Sequence, residues 1–265
     1  MGYCNVAIVS YGSNQRSAKT RKIGGVIEDH TPQKYFEYSQ GILSPLSLYA
    51  LVAQRVFHEW DINSEDLAEI AVSARKYSLL NEKAFNYGKN ELTVDDVLNS
   101  GIISSPLHKL DCCLVTDGGG AVLITNDKIA ESLGLPKIKV KGFGQLDTHI
   151  SYSQMPNYLI TGAEQSSKNA LNQSKMSLDD IDIFQVYDSF TITVLSTLAS
   201  IGMDQPKNII EKFKTGHYSL NGQQPVNTSG GGLSYCHPGM LGLLLVIEAV
   251  KQLSGELNNR QVENA

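Results

Sequence analysis

The sequence contains few of the features that mark specialised classes of protein. Its 22 basic and 27 acidic residues give a net charge of −5, and no basic cluster of the kind that binds nucleic acid is present. The four cysteines follow neither a metal-binding CxxC spacing nor a disulfide framework, so we expect no metal site and a reducing, cytoplasmic location. The longest apolar run, residues 240–247, is far shorter than the ~20 residues that cross a bilayer, and it predicts a buried helix.

A chain of 265 residues, 42% of them hydrophobic, can form one large α/β domain or two smaller units. Apolar runs predict strands at 5–12, at 112–125 with a bend at the triple glycine, at 137–144 and at 181–186. Helical spacing or a capping residue predicts helices at 46–60, after Ser64, at 93–100, at 163–173, up to about Ile201, and from Pro238 onwards. This alternation predicts a parallel-dominated sheet with helices on both faces.

The residues at the two ends of the chain also stand at strand positions of an α/β pattern. Residues 5–12 already form a predicted strand, and the last eight residues stand where an α/β pattern predicts another strand. Buried central strands cannot leave their backbone groups unpaired without a large cost. We therefore expect either a partner that covers these edges or a longer natural chain.

The segment SGGGLSYCHPG, residues 229–239, combines backbone freedom with reactive side chains. Its glycines let backbone N–H groups approach a ligand carbonyl or phosphate: Gly230, Gly231 and Gly232. Pro238 suits the first turn of a helix, whose N-terminus favours an anion and lowers the pKa of a neighbouring imidazole. The segment therefore predicts a neutral His237 that acts as a base beside donors for a negatively charged carbonyl oxygen.

The other candidate segment is Tyr187-Asp188-Ser189, which follows a predicted strand. Reactive groups in α/β sheets gather beyond the carboxyl ends of strands. A plainer interpretation stays open, in which Tyr187 and Tyr235 are ordinary residues at the edge of the core.

Plainer interpretations also exist for the remaining candidates. His237 alone would more often be a helix cap or a buried histidine, and Cys236 is more typical of a small buried residue than of a nucleophile. Cys112 and Cys113 project to opposite faces of a predicted strand and are interpreted as packing residues. Asp117 is interpreted as a turn residue.

Four segments together resemble the thiolase superfamily. NTSGGGLSYCHPG resembles the family segment that ends in GHPxGxxG and supplies a catalytic histidine, and VYDSF is similar to the HDCF or NEAF box. SPLHKLDCCLVTDGGGAVLIT resembles the end of the family's first half. LAEIAVSARKYSLLNEKAF resembles the cap region, as in the sterol-carrier-protein branch and related lipid-transfer proteins. Each segment alone is a weak signal, but the combination is specific.

This resemblance implies a thiolase-like α/β fold of two similar halves with mixed, mostly parallel sheets layered with helices. The first half would cover residues 1–130, incomplete and with a cap region inserted at about 13–110, and the second half would cover 137–265. It also implies a coenzyme A thioester as substrate, no tightly bound cofactor, a homodimer and a role in lipid metabolism.

The resemblance also implies roles for individual residues. His237 matches the histidine that activates the nucleophilic cysteine, and the loop glycines, Ser234 and Asp188 would contact coenzyme A. The family segment with that cysteine would precede residue 5, and the closing strand with a second cysteine would follow residue 265. The leading hypothesis is therefore an acyl-CoA C-acyltransferase of the acetyl-CoA acetyltransferase type, inactive as this isolated chain, with Tyr187 over the reacting carbonyl.

Two alternatives follow from the positions in these segments where the sequence differs from the family motifs. Tyr187 stands where the family has histidine or asparagine, and a phenol with a pKa near ~10 donates a proton better than it accepts one. Together, Tyr187 and Tyr235 would suit retro-aldol cleavage of a β-hydroxyacyl-CoA, as in thiolase-like aldolases that often use an OB-fold acyl-CoA-binding partner. Cys236 is a weaker candidate, as a replacement for the nucleophilic cysteine. The other alternative is a non-catalytic carrier of lipid or acyl-CoA, or a subunit completed by another chain.

Overall fold

The computed structural model describes residues 4–19, 33–42, 45–134, 136, 138–149, 152–263 and 265. Its strands are β1 (Val6–Ser13), β2 (Ile102–Ser104), β3 (Leu107–His108) and β4 (Gly118–Thr125). Its α-helices are α1 (Pro45–Trp60), α2 (Ser64–Leu79), α3 (Val94–Leu98), α4 (Asp127–Ser132), α5 (Ala163–Ser174), α6 (Thr191–Ile201), α7 (Pro206–Lys214) and α8 (Gly242–Leu253). Parts of the predicted cap region, residues 20–32 and 43–44, lie outside the described residues.

The main core lies between helices α1, α2, α6 and α7. Helix α6, TITVLSTLASI, is the most deeply placed helix of this group, because seven of its eleven residues are buried. Ile192, Leu195 and Leu198 of α6 are fully buried, and Leu67 of α2 and Ile209 of α7 pack into the same cluster. The core therefore supports the segment just before α6, which contains Tyr187.

Most helix predictions are confirmed. Helices α1 and α5 agree with the predicted ranges to within one residue at each end. Helix α3 begins after Thr93, whose side chain accepts a hydrogen bond from the Asp96 N–H. For α2 the cap is Asn63 rather than Ser64, because the Asn63 side chain forms a reciprocal capping box with Asp66. Within the described ranges, no helix combines the length and apolar character needed to cross a membrane.

The predicted bend at the triple glycine is wrong. Residues 118–125 form one continuous strand, β4, which pairs antiparallel with β1 along its whole length. Each glycine makes room for a different neighbour: a Cβ would lie 2.6 Å from Cys236 Sγ at Gly118, 2.7 Å from the β1 backbone at Gly119, and against the Ile247 side chain of α8 at Gly120. The glycines thus allow close packing within a strand instead of a turn.

The predicted parallel pairing is found at a single bridge in the described part of the chain, between Phe184 and Val226, whereas β1–β4 and β2–β3 are antiparallel. Residues 181–186 do not extend into a strand, because Asn227 has a left-handed φ of 54° and its side chain accepts the Val186 N–H. Residues 138–144 form no strand either; in this segment the backbone of Gly142 and Gly144 packs closely against carbonyl groups of α5. Residue 137, the predicted start of that strand, lies outside the described residues.

Candidate active site

The structure brings Tyr187 and His237 into direct contact. The phenol oxygen of Tyr187 lies 3.0 Å from Nε2 of His237. Their rings are perpendicular, with centroids 5.8 Å apart. His237 is 5% exposed and Tyr187 is 37% exposed. A molecule in solvent therefore reaches the phenol more readily than the imidazole behind it.

Burial and neighbouring groups determine the protonation state of Tyr187. Burial raises the pKa of its phenol, and the nearby Cys113 thiol raises it further, while the backbone N–H of Leu241 acts in the opposite direction. The phenol therefore keeps its proton at neutral pH. Because that proton can be donated to Nε2, the contact favours the His237 tautomer in which Nε2 is the acceptor.

His237 is held through its backbone. Its N–H donates to Thr116 Oγ1 at 2.9 Å, and its carbonyl accepts from the Thr116 N–H at 3.3 Å and from Gln15 Nε2 at 3.2 Å. The Tyr11 hydroxyl donates to the next carbonyl, that of Pro238, at 2.8 Å. The end of β1 and the start of β4 therefore fix the position of the imidazole.

The prediction that Pro238 begins the last helix is wrong. Gly239 adopts a left-handed φ of 108°, and α8 begins only at Gly242, after Leu241. His237 therefore lies outside the first turn of the helix, where the field of the helix dipole falls off quickly. The backbone N–H of Leu241, directly before α8, acts to lower the pKa of the Tyr187 phenol, against the larger effect of burial.

The predicted cradle of available glycine amides is not observed, because the loop N–H groups are already bonded. Gly232 and Leu233 donate to the two oxygens of Asp188 at 2.7 and 3.1 Å. The N–H of Gly231 donates to Ser229 Oγ, and the N–H of Gly230 donates to the Asn227 carbonyl. Asp188, predicted to contact coenzyme A, is 0% exposed, and burial raises the pKa of its carboxyl group to about 7.

Ser234, also predicted to contact coenzyme A, is part of a buried polar network. Its hydroxyl lies 2.8 Å from Ser78 Oγ and accepts hydrogen bonds from Asn86 Nδ2 at 2.8 Å and Arg75 Nε at 3.3 Å. The residue as a whole is 2% exposed. Ser234 therefore joins the glycine-rich loop to α2 and the segment after it, a role in which it is not available to a ligand.

Cys236 and Tyr235 are not part of the Tyr187–His237 contact. Cys236 is buried, its sulfur lies 3.2 Å from Thr116 Oγ1, and burial raises the pKa of its thiol. This agrees with the plainer interpretation of a packing residue. Tyr235 packs against Cys236 and Leu241 in a small apolar cluster, and in the described ranges its hydroxyl makes no hydrogen bond. Asp117 directly precedes the strand β4 instead of lying in a turn, and it accepts the backbone N–H groups of Arg16 and Ser17 from a distant turn.

Sequence reasoning missed three residues that support the site. Tyr11, Gln15 and Thr116 bond to the backbone of His237 and Pro238 from more than a hundred residues away in the chain. No local pattern could indicate such partners, because their proximity follows from the pairing of β1 with β4. Cys113 was interpreted as a packing residue, yet it is close enough to influence Tyr187.

Comparisons with known proteins give a consistent result. Residues 144–265 match a family model described as thiolase C-terminal domain-like. The chain is 31% identical over 232 residues to an acetyl-CoA acetyltransferase of Methanothermobacter thermautotrophicus, covering 87% of this chain and 60% of that protein. It is 32% identical to a steroid side-chain-cleaving aldolase of Thermomonospora curvata, covering 83% and 57%. It thus spans less than two thirds of the length of these relatives.

Among solved structures, the chain is similar to one described as the Ltp2-ChsH2(DUF35) aldolase. The TM-score is 0.85 with 27% identity, covering 98% of this chain and 67% of that one. The dimeric peroxisomal thiolase of Saccharomyces cerevisiae has a TM-score of 0.64 at 18% identity, covering 96% and 64%. The fold is therefore the thiolase-like α/β fold that the sequence motifs predicted.

Proposed function

The chain belongs to the thiolase superfamily, and we propose that it acts on a coenzyme A thioester as an acyl-CoA C-acyltransferase of the acetyl-CoA acetyltransferase type. The observation that carries this proposal is the 3.0 Å contact between the Tyr187 phenol and His237 Nε2. It places a base and a proton donor side by side, as formation of an enolate next to a thioester requires. The same proposal includes a first thiolase-like half at residues 1–130, a second half at residues 137–265, a role in lipid metabolism and a cytoplasmic location.

The chemistry assigned to the two residues is proton transfer at carbon. His237 Nε2 accepts a proton from the carbon next to the thioester carbonyl, and the charge passes to the carbonyl oxygen. The Tyr187 hydroxyl donates a hydrogen bond to that oxygen instead of to Nε2, which stabilises the charge in a partly water-excluded site. The new carbon–carbon bond forms when this enolate attacks the carbonyl of a second acyl thioester, which releases a thiolate that takes up a proton.

A cationic cluster supports a ligand with phosphate groups. The guanidinium of Arg16 and the ammonium of Lys89 each lie 4.4 Å from the centre of the Phe85 ring. Arg75 is close enough that its charge, with that of Arg16, lowers the pKa of Lys89 in the same direction as burial does. In the described part of the chain none of the three cations forms an ion pair, although Asp96 and Asp117 are nearby. An anionic ligand would relieve this repulsion.

Retro-aldol cleavage is the second candidate, and the protonated phenol of Tyr187 favours it. In this reaction His237 takes the proton of the β-hydroxyl group, and the bond between the α- and β-carbons breaks. The products are an aldehyde or ketone and an enolate, which takes a proton at the α-carbon from Tyr187. The similar solved aldolase is described by two components, Ltp2 and ChsH2(DUF35). This supports a proposed OB-fold partner protein that binds acyl-CoA.

The test uses the complete gene product. Thiolysis of acetoacetyl-CoA by free coenzyme A should fall by roughly 10²–10⁴-fold in His237→Ala, the usual cost of losing a general base. Tyr187→Phe should also lower it, while Tyr87→Phe, which changes an exposed tyrosine, serves as the matched control. Release of an aldehyde or ketone from a β-hydroxyacyl-CoA, lost in Tyr187→Phe, would identify the retro-aldol reaction instead. Absence of both reactions in wild type, with acyl-CoA still bound, would leave the carrier function.

A further inference from the structure

We propose that Asp188 is a positioning residue, which ties the segment carrying Tyr187 to the loop carrying His237. The structural part of this proposal does not depend on the proposed function; only the expected effect on activity rests on it. The Asp188 carboxyl group accepts the N–H groups of Gly232 at 2.7 Å and Leu233 at 3.1 Å. Because Asp188 directly follows Tyr187 in the chain, one side chain joins both sides of the Tyr187–His237 contact.

The glycines of the loop are needed for this attachment. A Cβ at Gly231 would overlap Asp188 Oδ2, and its φ of 59° is left-handed. At Gly232, a Cβ would lie 3.0 Å from Asp188 Oδ1 and 3.0 Å from His237 Cδ2. The carboxyl group and the imidazole therefore flank the same backbone position, so a shift of one moves the loop atoms that touch the other. The glycines serve the carboxyl group rather than a ligand.

Asp188 does not contact a substrate. It is 0% exposed, and the cavity beside it measures about 10 Å³, which is room for no more than about one water molecule. His237 has its other anchor at Thr116, whose hydroxyl accepts the His237 N–H. The backbone of this loop is thus held by Asp188 at Gly232 and Leu233 and by Thr116 at His237.

Protonation of Asp188 should change this attachment. Its surroundings are backbone N–H groups and the Asn227 side chain, and its charge acts on the neighbouring Tyr187 phenol. Burial raises the pKa of Asp188 to about 7, and the bonds from Gly232 and Leu233 act in the opposite direction. A protonated oxygen is a weaker acceptor than a carboxylate oxygen, so we expect the loop to be held less firmly below pH 7 than above it.

The first test is the Asp188→Asn variant of the complete gene product. The amide keeps the shape of the side chain but presents an NH₂ donor to one of the two loop N–H groups. We expect kcat to fall about 10- to 100-fold, the usual effect of a displaced catalytic group, with KM changed less than about twofold because Asp188 does not touch substrate. In the wild type we expect kcat to decline below pH 7, where Asp188 becomes protonated. This decline should be missing in the variant.

Asp111→Asn is the matched control. Asp111 is also buried, 1% exposed, and accepts the His108 N–H at 2.8 Å and the Thr191 hydroxyl at 2.7 Å. It contacts neither His237 nor the glycine-rich loop in the described structure. This variant should lose stability but keep the wild-type pH profile. Wild-type kcat and an unchanged pH profile in Asp188→Asn would overturn the proposal.

An NMR titration of the wild type tests the same role without any activity. The amide protons of Gly232 and Leu233 should shift with the ionisation of Asp188, with a midpoint near pH 7. The ring signals of His237 should show a transition at the same pH in the wild type that is missing in Asp188→Asn. If the two amides titrate while the His237 ring does not respond, Asp188 holds the loop without positioning the imidazole, and the proposal is wrong. This outcome does not depend on which reaction the protein catalyses.

Discussion

At the scale of single residues, burial acts in one direction on the acidic groups around His237. It raises the pKa of the Tyr187 phenol, the Cys236 thiol and the Asp188 carboxyl group. Their protonated forms are therefore favoured in this part of the structure. Cys236 remains a thiol whose sulfur faces Thr116, which is why the proton transfers of the proposed reaction are assigned to the Tyr187–His237 pair.

The raised pKa of Asp188 predicts how stability depends on pH. Its carboxyl group titrates at about 7 in the folded protein and near ~3.9 in an unfolded chain. The proton favours the folded state, so this stabilisation is complete below about pH 4 and is lost as the pH rises through 7. The difference in the free energy of unfolding between wild type and Asp188→Asn should therefore decrease over this range, by a few kcal/mol at most.

Urea unfolding of both proteins at several pH values measures this difference. The Asp111→Asn variant provides the comparison, because Asp111 is equally buried. A difference between wild type and Asp188→Asn that stays constant from pH 4 to 8 would show that Asp188 is already ionised throughout.

At the scale of elements, β4 connects the candidate site to the rest of the structure. The strand pairs with β1 along its whole length, its first residue Gly118 lies against Cys236, and Gly120 receives the Ile247 side chain of α8. This explains why three consecutive glycines occur in a strand, where glycine usually weakens the structure. Glycine is needed at these positions because a helix and a loop both approach the backbone of the strand closely.

The contact between β4 and α8 predicts a coupled pair of substitutions. Gly120→Ala should destabilise the protein by about 1–3 kcal/mol through overpacking, because the new Cβ would overlap Cδ1 of Ile247. Ile247→Val removes that methyl group, so the double variant should be more stable than the sum of the two single effects by at least about 0.5 kcal/mol. Denaturant unfolding of the four proteins measures the coupling.

Gly242→Ala is the matched control for this cycle. Gly242 begins α8, and a Cβ added there would meet no other atom within 4 Å, so alanine at this position should be neutral or stabilising. Strict additivity of Gly120→Ala and Ile247→Val would contradict the proposed contact.

At the scale of the whole molecule, the β1–β4 pair presents an apolar face. Val6, Ile8 and Leu123 are 46%, 70% and 49% exposed. They share one face, because Ile8 pairs with Leu123 and residues two apart in a strand point the same way. A two-stranded sheet has little stability of its own in water. We expect this face to be covered in the homodimer that the family resemblance implies.

The Ile8→Glu variant of the complete gene product tests this expectation. It should lower the assembled mass measured by light scattering, because a charge would be buried in the interface. Phe143→Glu, which changes a residue that is 73% exposed outside the sheet, should leave the mass unchanged. An Ile8→Glu variant with the wild-type mass would place the dimer contact elsewhere.

The sequence by itself determined the helices, the family resemblance and the two segments that carry the candidate site residues. Helices α1, α3 and α5 follow from apolar spacing and capping residues, which are local properties. VYDSF and the GGGLSYCHPG segment identified Tyr187 and His237, which the structure places 3.0 Å apart. In these cases the information lies within a few neighbouring residues.

Only the tertiary structure decided what each residue of those segments does. The loop glycines bond to Asp188, Ser234 joins a polar network, and α8 begins at Gly242 instead of Pro238. Thr116 and Gln15 hold His237 although they lie more than a hundred residues away in the chain. Hydrogen-bond partners and burial depend on which distant segments meet, and that is determined by the packing of the whole chain rather than by any local pattern.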